Sequence, residues 1–125
     1  MLAQEVNLNA PKGATAALGE VGSIRALNDA FRIDPRQGRV VMTPEVASLP
    51  PADLTGLITA IQTFDDFTTD NDPYGEHDVG AVIIGGDRYF WKIDYYDNSL
   101  EYGSPDPADP AVTRRVMTIM RSDEY

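Results

Sequence analysis

The run VGAVIIGGDRYFWKIDYY at residues 79–96 determines the predicted architecture. Two strand-like segments, Val79–Ile84 and Arg88–Tyr96, flank Gly85-Gly86, and a Gly-Gly pair adopts the positive φ angles of a tight hairpin turn without steric cost. A two-residue turn fixes the register of the facing pairs as Ile84–Asp87, Val82–Tyr89 and Gly80–Trp91. Because a glycine opposite the indole leaves room for it, the segment predicts a β-hairpin.

Helical periodicity precedes this hairpin. Ser23 is a candidate N-cap, and one helical face after it carries Ile24, Leu27 and Phe31. Pro50-Pro51 introduces the clearest helix, whose apolar positions recur at three- and four-residue steps: Leu54, Leu57, Ile58, Ile61 and Phe64. Between the two helices, Arg39–Met42 predicts a short strand, and Thr43-Pro44 has the form of a cap followed by a first-turn proline.

A third helix is predicted after the hairpin. Asp109 has the position of an N-cap, Pro110 that of the first helical residue, and the apolar stripe comprises Val112, Val116, Ile119 and Met120. The order of elements predicts an α+β fold, in which about three helices pack on a small antiparallel sheet built around the hairpin 79–84/88–96. Whether the strand at 39–42 joins this hairpin stays open.

One domain accounts for most of the chain. We expect residues 22–125 to form a single α+β domain, large enough to bury a hydrophobic core. Residues 1–21 are rich in Ala, Gly and Asn without a period, which predicts a flexible or weakly packed N-terminal arm. Within the domain, Tyr89 and Trp91 are expected on one face of their strand, with Trp91 buried against the helix that bears Leu57 and Ile61.

Negative charge is concentrated in one segment. Residues 65–109 hold twelve of the twenty acidic residues but two of the ten basic ones, so the net charge of −10 belongs to this segment. The same segment contains the single Trp, the single His and five of the six Tyr. This combination predicts a contact surface for a protein partner with a basic surface. The candidate contact residues are Asp94, Asp97, Glu101, Tyr96 and Tyr102.

Composition excludes several other classes of function. A pI near 4.3 argues against direct binding to nucleic acid, because phosphate contacts need a basic face. No stretch approaches the roughly 20 apolar residues of a membrane span. The absence of cysteine excludes disulfides and thiol chemistry and is compatible with the bacterial cytoplasm, where we expect the protein. We find no phosphate-binding loop and no nucleophile elbow, so we assign no catalytic residue and expect no cofactor.

The polar loop DNDPYGEHD at residues 70–78 is the candidate metal site. It carries acids at positions one, three and nine of a calcium loop, and glycine at position six. It departs from that pattern at position five, Tyr74, and at position twelve, Ala81, where a bidentate Glu belongs. The candidate ligands for calcium or a transition metal are Asp70, Asp72, Glu76, His77 and Asp78.

The same loop has a structural interpretation. Asp and Asn side chains of a turn-rich loop bond their own backbone, and a histidine can pin such a loop through a hydrogen bond. Similar work is expected of Asp97 and Asp106 in turns. Arg114-Arg115, on the predicted last helix, is interpreted as a solvated or ion-paired face.

Several long motifs resemble a family of small, uncharacterised bacterial proteins. They are LNDAFR (27–32), LPP (49–51), TTDNDPYGEHDVG (68–80), FWKIDYYD (90–97), GSPDPADPAVTRRV (103–116), TIM (118–120) and DEY (123–125). The resemblance is to a domain-of-unknown-function family of about this length, frequent in alphaproteobacteria, and covers roughly residues 24–125. It implies a compact single domain and a setting on plasmids and other mobile elements. It supplies no established activity and no catalytic residues.

Three functions are compatible with these observations. The first is a non-enzymatic inhibitor that imitates nucleic acid and occupies a host defence protein, of the anti-restriction or anti-CRISPR type. The second is a metal-dependent enzyme or calcium-binding module centred on residues 70–78. The third is a plasmid-maintenance or regulatory protein that acts through a homo-oligomer; the sequence does not distinguish a monomer from a homodimer.

Overall fold

Three helices cover one face of a four-stranded sheet in the computed structural model, which describes residues 16–125. The helices are α1 (Ala16–Ile33), α2 (Pro44–Ala47) and α3 (Pro51–Gln62). The strands are β1 (Arg39–Met42), β2 (Val79–Ile84), β3 (Asp87–Tyr96) and β4 (Arg114–Arg121). The α+β class expected from the sequence is confirmed.

The β2–β3 hairpin has the predicted register. Gly80 faces Trp91, Val82 faces Tyr89 and Ile84 faces Asp87. Both turn glycines have positive φ angles, 59° at residue 85 and 87° at residue 86, as a two-residue hairpin turn requires. A Cβ atom on Gly80 would lie 2.6 Å from Nε1 of Trp91, so the glycine makes room for the indole.

The sheet is mixed, and not purely antiparallel as expected. Its strand order is β1-β4-β3-β2, with β1 and β4 parallel and the other pairs antiparallel. The strand at 39–42 therefore joins the sheet beside β4, which separates it from the hairpin. The parallel pair arises because the chain crosses over through α2, α3 and the hairpin before β4 returns beside β1.

The predicted third helix is wrong, because residues 114–121 form strand β4. Asp109 does accept a hydrogen bond from the Ala111 amide at 2.9 Å, and Pro110 does begin a turn, but this 3₁₀ turn ends at Val112. Beyond it, alternate residues point into the core: Arg115, Met117 and Ile119. Pairing with β3 on one side and β1 on the other satisfies the β4 backbone and overrides the short-range helical pattern.

The first helix begins earlier than its candidate cap. Helix α1 starts at Ala16, so Ser23 lies within it, and residues 16–21 of the predicted arm are helical. The alanines, Leu18 and Glu20 of this stretch are good helix formers. Residues 1–15 of the predicted arm lie outside the described part of the chain. No helix within residues 16–125 is long and apolar enough to cross a bilayer.

The core lies between the helices and one face of the sheet. Trp91 is fully buried in one cluster with Leu57 and Ile61 of α3, and Tyr89 shares its face, as expected. The Trp91 ring meets that of Phe64 edge-on, with centroids 5.7 Å apart. We call this helix-covered side the inner face and the opposite side the outer face. Side-chain alternation along β3 places Phe90, Lys92, Asp94 and Tyr96 on the outer face.

Candidate functional site

His77 anchors the acidic loop, residues 65–78, to helix α1. Its Nδ1 atom lies 2.9 Å from Oδ1 of Asp29, and its ring stacks on Phe67 with centroids 3.7 Å apart. The backbone at His77 has a φ of 56°, in the left-handed region that residues other than glycine seldom adopt. The geometry matches the structural interpretation, in which a hydrogen-bonded histidine pins the loop.

Asp29 joins this anchor to the core. The same Oδ1 atom lies 2.9 Å from Nη1 of Arg32, one turn further along α1. Arg32 is buried, donates from Nη2 to the Phe64 carbonyl at 3.2 Å, and lies over the Phe67 ring. The acidic loop is therefore held against α1 by the contact of His77 with Asp29 and by the cation–π contact of Arg32 with Phe67.

Asp72 shapes the turn that precedes His77. Its side chain is buried, and Oδ1 accepts hydrogen bonds from the backbone amides of Glu76 at 3.1 Å and His77 at 3.2 Å. The other oxygen, Oδ2, lies 3.7 Å from Nε2 of His77. Both imidazole nitrogens therefore face carboxylates, and Asp72 bonds its own loop backbone as the structural interpretation expects.

Glu76 points into a buried polar network, which we define as Asn28, Glu76, Tyr95 and Arg115. The Tyr95 hydroxyl donates to Oε1 of Glu76 at 2.7 Å, and Nδ2 of Asn28 lies 2.7 Å from the same hydroxyl. Asn28 also donates to the Glu76 carbonyl at 2.9 Å. Burial, together with the hydrogen bond to Glu76, raises the pKa of Tyr95 far above its ordinary value. Tyr95 therefore stays neutral and acts as a donor.

Arg115 closes this network from strand β4. It donates from Nε to Oδ1 of Asn28 and from Nη2 to the Pro107 carbonyl, each at 2.7 Å, and its guanidinium lies over the Tyr95 ring. Burial lowers the pKa of Arg115 from its ordinary value. The interpretation of Arg115 as a solvated or ion-paired helix face is therefore wrong. The alternation of RRVMTIM was the available signal, since it places residue 115 on the face of Met117 and Ile119.

The five candidate metal ligands do not converge on a common centre. Asp70 is exposed, Asp72 bonds the loop backbone, Glu76 enters the polar network and His77 faces Asp29. Among the described residues no group of three or more His, Asp or Glu side chains is arranged to hold a metal ion. The loop is organised around hydrogen bonds and not around a common ligand centre.

Asp78 stands apart from these contacts. It is partly buried, and this burial raises its pKa above the ordinary value, with further repulsion from the carboxylates of Glu76, Asp72 and Asp94. Its backbone carbonyl accepts a hydrogen bond from the Ile93 amide at 2.7 Å, which extends the hairpin ladder by one pair. The backbone of Asp78 therefore supports the hairpin, whereas the ionised form of its side chain is electrostatically unfavourable.

The five predicted contact residues occupy two places. Asp94 and Tyr96 lie on the outer face, where Oδ2 of Asp94 is 3.3 Å from the Lys92 ammonium. Glu101 and Tyr102 lie in the loop after β3, and Tyr102 is 72% exposed.

Asp97 shapes this second loop. Its Oδ1 atom accepts hydrogen bonds from the Ser99 hydroxyl at 2.8 Å and the Glu101 amide at 3.1 Å, which lowers its pKa. Asp106 and Asp109 likewise accept bonds from backbone amides two residues on, as expected of turn and cap residues. Asp97 therefore positions Glu101 and Tyr102.

The twelve acidic residues of the segment 65–109 differ in exposure and in pairing. Five are exposed and form no ion pair with any described residue: Asp65, Asp66, Asp70, Asp87 and Glu101. Four cations lie on the outer face, where the strand pairings place Arg39, Arg88, Lys92 and Arg114. The outward carboxylates of the acidic loop thus have no ion-pair partner among the described residues, while the exposed Arg25 of α1 contacts the loop through its backbone, donating from Nε to the Gly75 carbonyl at 2.6 Å.

A family model described as protein of unknown function (DUF3768) matches residues 42–124, which include the whole sheet apart from the first residues of β1, and both loops. The chain belongs to this family. The match confirms the expected membership of an uncharacterised family. No curated protein and no solved structure matches the chain.

Proposed function

We propose that this member of the DUF3768 family is a non-enzymatic, acidic binding protein that docks on a basic protein surface. The observation that carries the proposal is the outward side of the acidic loop, where Asp65, Asp66 and Asp70 are exposed without an ion pair among the described residues. Exposed like charges without ion-pair partners create a field that attracts a partner of opposite sign and accelerates encounter.

The hydrogen-bond partners of the polar side chains support a binding function over a catalytic one. Tyr95, Glu76 and Asn28 hydrogen bond one another, and His77 faces two carboxylates, one of which bonds the loop backbone. A general acid or base needs a free position within hydrogen-bond reach of a substrate. Here the groups with the right chemistry are engaged in holding loops, while the groups that remain exposed are simple carboxylates.

A nucleic-acid-binding defence protein is the partner that this surface fits. Its binding groove is basic because it contacts phosphates, and exposed carboxylates on a rigid scaffold can take the place of those phosphates. The bacterial, mobile-element setting implied by the family resemblance supplies a reason for such inhibition, since mobile DNA is the target of restriction and CRISPR enzymes. The proposed role is thus anti-restriction or anti-CRISPR inhibition in the cytoplasm.

The loop after β3 would supply the aromatic part of the contact. Tyr102 offers a large exposed surface at low entropic cost, beside the exposed Glu101. Asp97 holds both in place from within the loop. Asp94 and Tyr96, on the outer face, would contact a partner large enough to reach around the end of β3.

The test is a binding panel of purified restriction endonucleases and CRISPR effector complexes, measured by surface plasmon resonance from about 50 to 300 mM salt. We expect at least one member to bind, with an association rate that falls as salt rises, and we expect DNA of that enzyme's target sequence to compete.

Two matched double variants locate the contact. Asp65→Asn/Asp66→Asn removes two charges from the acidic loop, whereas Glu20→Gln/Asp53→Asn removes two exposed charges from helices. The loop variant should associate severalfold more slowly than the helix variant at low salt. If no panel member binds, or if both variants associate equally fast, the proposal of nucleic-acid mimicry is wrong.

A further inference from the structure

The two edges of the sheet are protected unequally. Strand β1 is four residues long, carries Arg39 and is followed by Pro44, which are features that discourage pairing with another strand. Strand β2, VGAVII, is six residues long and contains neither a charged residue nor a proline. An apolar, uncharged edge of this length is a template for a further strand.

On the side of β2 away from β3, the backbone N–H and C=O groups are free to pair with another strand. Ile84 and Asp87 flank the hairpin turn, and the Ile93 amide bonds the Asp78 carbonyl, so even-numbered residues of β2 bond toward β3. In an antiparallel strand the intervening residues direct their N–H and C=O groups to the other side. Those residues are Val79, Ala81 and Ile83. Within residues 16–125, β2 pairs with β3 alone, and no loop bond engages these three residues.

The side chains of the same three residues point to the outer face. Ile83 is 68% exposed and Val79 is 37% exposed, and Ala81 lies between them. A large β-branched side chain this exposed lacks the burial that such residues normally gain in a sheet. The outward backbone groups of Val79, Ala81 and Ile83 therefore lack a partner in the described chain, and the side chains of Val79 and Ile83 stay exposed.

We propose that a second copy of this chain pairs with β2 in an antiparallel manner, with Ala81 opposite the partner's Ala81. This register places Val79 opposite the partner's Ile83 and lets the outward N–H and C=O groups of all three residues bond across the interface. It joins two four-stranded sheets into one of eight strands through a twofold axis.

Self-complementarity favours a second copy over an unrelated peptide. Pairing about Ala81 brings the two exposed apolar side chains of each strand beside those of the other, so both copies bury part of this exposed apolar surface at once. The strand itself carries no charge, and the acidic residue next to it, Asp78, falls opposite the partner's Ile84 and not opposite a carboxylate. The proposed register therefore sets no two like charges directly opposite each other across the paired strands.

Single-cysteine cross-linking tests the register directly, because the natural chain contains no cysteine. In Ala81→Cys the two thiols would lie on neighbouring strands with Cα atoms about 5.5 Å apart, within disulfide range. In the control Val79→Cys they would be four residues apart along the strands, about 14 Å, and out of range. We expect mild oxidation to yield covalent dimer for Ala81→Cys and little for Val79→Cys.

Light scattering coupled to gel filtration gives the independent readout. At about 100 µM and physiological salt the natural chain should have twice its 13.7 kDa mass. Ile83→Lys should be monomeric, whereas Val41→Lys, the same change at an exposed β-branched residue of the other edge strand, should remain dimeric. Circular dichroism confirms that each variant is folded.

Several outcomes would overturn the proposal. They are a natural chain that stays monomeric up to about 0.5 mM, equal effects of the two lysine variants, and equal cross-linking of the two cysteine variants. A monomer whose β2 edge instead binds an added strand-forming peptide would show that the edge serves a different partner.

Discussion

The acidic loop contains two kinds of carboxylate that the sequence does not distinguish. Asp72 and Glu76 point inward and hold the backbone and Tyr95, whereas Asp65, Asp66 and Asp70 point outward without an ion pair among the described residues. The first kind makes hydrogen bonds within the fold, whereas within residues 16–125 the structure shows no such bond from the side chains of the second kind. The difference teaches that the concentration of charge at residues 65–109 combines a structural set with a set that is free for a partner.

The largest loss of stability is expected in the apolar core, at Trp91. Trp91→Ala should lower the free energy of unfolding by about 3–5 kcal/mol, because the fully buried indole leaves a cavity under Phe64 and Phe67. Urea denaturation measures the loss. Tyr102→Ala, an aromatic truncation at an exposed site, is the control and should cost little. A Trp91→Ala protein as stable as the natural chain would refute the packing described.

The second-largest loss of stability is expected in the buried polar network. Asn28→Ala removes the acceptor of Arg115 Nε and the donor to Tyr95 and the Glu76 carbonyl, so buried groups lose their partners. We expect a loss of about 3 kcal/mol in urea denaturation. The same substitution at the exposed Asn98 should cost well under half as much. Equal losses would show that the network adds no stability beyond an ordinary surface hydrogen bond.

A small effect of opposite sign is expected at Asp78. Its pKa is raised in the folded state above the ordinary value of 3.8, so the ionised carboxyl destabilises the fold as pH rises through this raised pKa. Asp78→Asn should therefore be slightly more stable than the natural chain at pH 7, by less than about 1 kcal/mol because the side chain is partly exposed. Thermal melts from pH 3 to 7 should show the difference vanish below the ordinary pKa. A variant that is less stable at pH 7 would contradict this.

The smallest effect concerns metal. Because Asp72, Glu76 and His77 are engaged in separate hydrogen bonds, millimolar calcium or magnesium should leave the melting temperature nearly unchanged. A bound ion at a hundredfold excess over its dissociation constant would add about 2.7 kcal/mol. A rise of several degrees in the melting temperature that Asp72→Ala abolishes would contradict the structural interpretation of the loop and favour a metal site.

Local chemistry made the hairpin and α3 predictable. The Gly85-Gly86 turn fixes its own register, and the apolar period of α3 specifies a face without reference to the rest of the chain. Strand β4 was not predictable in this way. Its residues fit both a helical and an alternating pattern, and only pairing with β3 and with the distant β1 decides between them.

The candidate site was harder still to predict, because its contacts join residues that are far apart in sequence. The sequence favoured a loop-pinning role for His77 and predicted that Asp97 and Asp106 would serve turns and Asp109 a cap. The three aspartate roles depend on neighbours within a few residues. The sequence could not predict the partners of His77 or of Arg115. Asp29 and Asn28 lie 48 and 87 residues away from them, so only the packing of α1 on the sheet brings them together.

The most direct test of the two kinds of carboxylate compares one substitution at two positions of the same loop. Asp72→Ala strips the acceptor from two backbone amides, whereas Asp66→Ala removes an exposed side chain without a partner among the described residues. Urea denaturation should show a loss of about 1–3 kcal/mol for Asp72→Ala and less than about 0.5 kcal/mol for Asp66→Ala. Equal losses at the two positions would contradict the division between structural and outward carboxylates.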